Sequence, residues 1–67
     1  MSLREELIDL DTAVNRLSQG VNAVGLMSMG LLQARDPYAD GLDLLYNCMA
    51  EADREVRLRL NACLDTV

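Results

Sequence analysis

The apolar residues of the first half of the chain fall at Leu3, Leu7, Leu10, Val14, Leu17, Val21, Val24 and Leu31. The steps alternate between four and three, and Ser28 fills the one seam position that lacks an apolar side chain. A 4-3 spacing held over four repeats is the pattern of a helix that packs lengthwise against other helices, so the segment predicts a long α-helix with a coiled-coil-like seam. Ser2 and Glu5 stand at capping-box spacing at its start, and Glu5 and Glu6 complement the positive end of the helix dipole. Met1-Ser2-Leu3 also reads as a generic expression leader, in which case the Ser2 cap is a property of the chain studied.

The periodicity breaks at Arg35-Asp36-Pro37-Tyr38-Ala39-Asp40-Gly41. A residue preceding proline is pushed out of the α region, and Pro37 suits the first position of a new helix with Asp36 as its cap. A later start, with Asp40 as cap and Asp43 in the first turn, reads equally well. Beyond the break the seam resumes at Leu42, Leu45, Met49, Ala52, Val56, Leu60 and Cys63. Asp53–Arg57 and Glu55–Arg59 place acid four residues before base, the orientation that supports a solvated outer face. The expected organisation is one domain: helix 1 over about 3–35, a loop over about 36–40 and helix 2 over about 41–65.

Two helices of matched length joined by a short loop predict an all-α, antiparallel two-helix hairpin. Setting Leu31 beside Leu42, Val24 beside Met49, Val21 beside Ala52, Leu17 beside Val56 and Leu10 beside Cys63 puts apolar against apolar at each layer, with Ser28 against Leu45 the exception. Leu17, Val24, Met49 and Val56 are then expected among the most buried residues. A hairpin alone leaves one side of each seam wet, and closure of two hairpins into a four-helix bundle covers it. The residues expected in that oligomer core are Leu10, Leu17, Val24, Leu31, Leu42, Met49, Val56 and Leu60.

Composition points the same way. A chain of 67 residues buries too little surface for a robust core of its own and ordinarily needs a disulfide, a metal or a partner copy. Cys48 and Cys63 lie fifteen positions apart on one expected helix, roughly 22 Å, whereas a disulfide needs Cα atoms within about 7 Å. There is no histidine and no Cys-x-x-Cys pair, so no metal and no cofactor are expected. Free thiols and the lack of a signal-peptide pattern lead to the expectation of a cytoplasmic protein.

The missing histidine also removes the commonest general base, and nothing activates Ser2, Ser18 or Ser28. No enzyme is expected. Asp36-x-Tyr38-x-Asp40-Gly41 approaches a calcium-loop pattern, but Tyr38 stands at a ligand position and Asn47 where a bidentate glutamate belongs. Residues 17–34 carry no charge, yet Ser18, Gln19, Asn22, Ser28, Gln33 and three glycines make a bundle interior a better reading than a membrane span. Gly20, Gly25 and Gly30 each cost helix stability and call for an offset. Gly20 and Gly25 flank the seam, where they can admit a neighbouring helix.

The net charge of −5, with arginine the only base, disfavours nucleic acid. The densest basic group, Arg54, Arg57 and Arg59, is interleaved with Asp53 and Glu55, and Tyr38 and Tyr46 are placed near the seam of helix 2. The back of helix 1 is amide-rich, with Asn22, Leu26, Met29 and Gln33 forming a candidate contact surface for another protein. The reading is a non-catalytic, homo-oligomeric interaction or regulatory module, with a second copy of itself and another protein as its expected partners. The alternatives are an RNA-binding hairpin dimer whose architecture resembles ROP, without a shared motif, and an acidic antagonist of a basic protein.

Overall fold

A computed structural model describes residues 2–67 as two helices, α1 (Leu3–Gln33) and α2 (Ala39–Thr66), and no strand occurs among them. They run antiparallel. The Tyr46 ring lies over Gly25, Ser18 bonds Asp53, and Arg4 Nη1 reaches the Val67 carbonyl at 3.3 Å. These pairs are displaced by about two residues from the expected layers, so the axial register follows the apolar pattern closely.

The helix ends follow from local chemistry. Ser2 is extended (φ −79°, ψ 159°), and its Oγ accepts from the Glu5 amide at 3.1 Å, one half of the capping box. At the other end, the Asp36 amide donates to the Leu31 carbonyl at 3.0 Å and the Arg35 amide to Leu32 at 3.2 Å. These are the two bonds of a Schellman motif, with Arg35 in the left-handed position at φ 56° where glycine is usual. Left-handed backbone cannot continue a helix, so α1 stops at Gln33, two residues short of the expected bound. The Asp36 carboxylate accepts from the Tyr38 amide at 2.9 Å and its carbonyl from Ala39 at 3.0 Å. Asp36 thus caps the turn leading into α2. The regular helix begins at Ala39, between the two starts the sequence offered, and Asp40 lies inside its first turn.

The rotation of the helices differs from the expectation. In α1 the residues buried against α2 are Val14, Val21, Gly25 and Ser28, with Leu7 and Ser18 half-buried beside them. In α2 they are Ala39 and Leu60, with Tyr46, Asp53 and Arg57 half-buried. Each helix thus turns one flank of its seam toward the other and leaves the opposite flank open. Of the four residues expected to be most buried, Leu17 is 58% and Val56 43% exposed in the single hairpin, while Val24 and Met49 are half-buried. Among the other expected oligomer-core residues, Leu60 is buried, Leu31 and Leu42 are half-buried, and Leu10 is exposed. The physical reason is simple: a 4-3 seam is a stripe wide enough to touch two neighbours, and one hairpin supplies only one.

The same fact appears in the dimensions. The hairpin measures 49 × 15 × 11 Å with a radius of gyration of 15.4 Å, against about 11 Å for a compact domain of this length.

Candidate functional site

Three features lie on or between the helices, and the first is a polar layer inside the hairpin. Ser18 Oγ is within 2.5 Å of Asp53 Oδ1, and Arg57 donates to the same hydroxyl from Nε at 3.1 Å and Nη2 at 2.7 Å. Arg57 Nη2 also donates to Asn15 Oδ1 at 2.8 Å, and Nε lies 3.6 Å from Asp53 Oδ2. The Asp53–Arg57 pair, placed on the solvated outer face by its spacing alone, therefore faces α1. The turn of α2 that presents Leu60 to the hairpin carries Asp53 and Arg57 with it, since all three share one side of the helix. Chemically the layer is closed. The Ser18 proton has Asp53 and, at 3.0 Å, the Val14 carbonyl to choose from, and both of its lone pairs are taken by Arg57. A hydroxyl so occupied is a structural group rather than a nucleophile.

The second feature explains one glycine. A Cβ at Gly25 would stand 2.6 Å from Tyr46 Cε1 and 2.8 Å from Cζ, so only glycine lets the ring lie on the α1 backbone. Around this contact Asn22, Gly25, Leu26, Met29, Asp43 and Tyr46 line an open hollow of about 340 Å³. Three of the four residues expected to form a contact surface, Asn22, Leu26 and Met29, meet here, and Leu26 and Met29 are exposed. Gln33 is exposed but does not line the hollow. Tyr46 and Asp43 were not foreseen; they come from α2, and nothing on α1 announces them. Tyr38, expected near the seam, is exposed in the loop instead.

On the opposite side, the open flanks of both seams form a groove. Leu7, Leu10, Val56, Leu60 and Cys63 line one stretch of about 290 Å³, bordered by Glu55 and Arg59. Leu17, Val21, Met49, Ala52 and Val56, with Asp53 beside them, line the next, of about 160 Å³, and Val56 is common to both. Ser28, expected opposite Leu45, is instead fully enclosed between the helices, and its hydroxyl finds no protein partner.

The remaining groups are dispersed. Cys48 and Cys63 are free and exposed. Among the described residues no group of three or more His, Cys, Asp or Glu side chains could hold a metal ion, and no helix is long and apolar enough to cross a membrane. Of the basic group, Arg57 is turned inward, and Arg59 pairs with Glu55 at 3.4 Å in solvent. Comparison with known protein families, with curated proteins and with solved structures returned no match.

Proposed function

We propose that the chain works as a homodimeric, non-catalytic interaction module, in which two hairpins close into a four-helix bundle and carry the Asn22–Leu26–Met29 surface on the outside. The observation that carries this reading is the open apolar groove. The hairpin exposes 5204 Å², whereas a compact monomer of 7.4 kDa exposes about 4,200 Å². The surplus of about 1,000 Å² is close to the roughly 800 Å² that each partner contributes to a standard stable interface. Leu10, Leu17 and Val56, all exposed, line that groove at the spacing by which one seam packs on another.

The charge arrangement favours a protein partner over RNA. RNA recognition uses a basic surface, commonly with stacking aromatics. Here Arg57 is spent inside the hairpin and Arg59 is neutralised by Glu55. Thermal melting at a series of concentrations tests the reading, because a dimer's melting temperature rises with concentration. Leu17→Glu should abolish that dependence and expose a poorly cooperative monomer. A melting curve unchanged by either concentration or the substitution would count against the dimer.

A further inference from the structure

The groove also carries information about how the second copy lies in it. We infer that the two hairpins associate about a two-fold axis parallel to their length, with both loops at the same end and α1 of each against α2 of the other. This rests on the homodimer reading above and adds the arrangement to it.

Two observations point to it. The first is Gly20. An added Cβ there would meet no atom within 4 Å, so nothing inside the hairpin offsets the helix stability that glycine costs. One helix turn after Leu17, which lines the groove, Gly20 falls beside it by helix spacing, with Ala13 and Met27 along the same helix side. The groove places Leu17 and Val21 at the level of Ala52 and Val56. With the axis parallel to the hairpin, levels are preserved across the dimer, and Gly20 meets Ala52 of the partner subunit. Two small residues at that crossing let the helices approach closely along the middle of the seam.

The second observation is charge. Glu55 and Arg59 border the groove on the α2 side. By helix spacing Arg16 borders the α1 side of the groove, and the register that sets Ser18 against Asp53 puts it at the level of Glu55. In the same-end arrangement Arg16 lies beside Glu55 of the partner subunit, and symmetry makes the contact twice. With the loops at opposite ends and like helices in contact, Glu55 and Arg59 fall instead near Met49 and Leu45 of the partner subunit. Charges would there lose water against apolar side chains with only each other, at 3.4 Å, as partners. Arg16 would find the uncharged stretch 17–34 of the partner's α1 in front of it.

Loop-to-loop distance decides between the two. Tyr38 is 77% exposed and makes no side-chain cap bond, so a spin label at Tyr38→Cys, with Cys48→Ala and Cys63→Ala, sits outside the bundle. Same-end packing predicts a label separation of about 15–25 Å, set by interaxial spacings of about 10 Å. Opposite-end packing gives on the order of 45 Å, the length of the helices at 1.5 Å per residue. A distance near 45 Å in a dimer would overturn the arrangement and leave the dimer standing; a monomer would overturn both. In the chain with its native cysteines, Arg16→Glu and Glu55→Arg should each weaken dimerisation by about 2–5-fold per contact, and the two together should restore it. Losses that simply multiply in the double variant would likewise overturn the arrangement.

Discussion

Replacing Gly25 with alanine should destabilise the hairpin, although the same replacement at Gly30 should stabilise it. Both glycines lie inside α1, and glycine costs about 0.5–1 kcal/mol relative to alanine there. At Gly30 an added Cβ meets no atom within 4 Å, so the full gain is available. At Gly25 the new methyl would lie 2.6, 2.8 and 3.1 Å from three Tyr46 ring atoms. Either the ring swings out into the open hollow or the helices part, and overpacking of this kind costs about 1–3 kcal/mol. Subtracting the helix gain leaves a net loss of up to about 2.5 kcal/mol. Each kilocalorie corresponds to about 4–8 °C in melting temperature for a domain of this size. Thermal denaturation followed by circular dichroism, at one fixed protein concentration, resolves such shifts. In a Tyr46→Ala background the clash is gone, and Gly25→Ala should become stabilising. If Gly25→Ala raises the melting temperature of the otherwise unaltered chain as Gly30→Ala does, the ring does not lie on the α1 backbone.

Three further outcomes are expected. Ser18→Ala should cost about 1–3 kcal/mol in urea denaturation, because it strips Arg57 and Asp53 of a part-buried partner. In an Arg57→Leu background the cost should shrink, and strictly additive losses would show that the layer is not a unit. Arg35→Gly should stabilise by about 0.5–1 kcal/mol, the left-handed penalty of a side chain less the extra freedom glycine brings to the unfolded chain; destabilisation would contradict the Schellman geometry. Replacing Leu26 and Met29 together with Glu should leave melting temperature and oligomeric state unchanged, since both are exposed, while abolishing capture of a protein that binds the wild type. Unfolding or dissociation of that variant would instead move the two residues into the bundle.

The sequence patterning carried the elements, their antiparallel order and nearly the whole axial register, because a heptad repeat constrains where along a helix apolar groups recur. It did not carry the rotation. A 4-3 stripe has two flanks, and nothing in the spacing of Leu10, Leu17 and Val56 says whether a neighbour in the same chain or another chain covers them. Asp53 and Arg57 were misplaced for a related reason. Their four-residue separation describes one helix, whereas their partners Ser18 and Asn15 lie more than thirty-five positions away in most pairings and on the other helix. The spacing set Gly20 and Gly25 beside the seam and apart from Gly30, but which of the two a neighbour presses against appeared only with the Tyr46 ring above Gly25. The end of α1 was missed by two residues because an arginine occupies a position that glycine usually announces. Of the expected contact surface, the α1 residues were visible as a face, and the α2 contribution of Asp43 and Tyr46 needed the register to appear.

Sedimentation equilibrium of the untagged chain at micromolar concentration tests most directly whether the hairpin completes its core with a second copy. A single species of twice the 7.4 kDa chain mass, dissociating on dilution together with loss of helical signal, is the predicted result. A 7.4 kDa particle that remains folded and melts cooperatively at every concentration would contradict it.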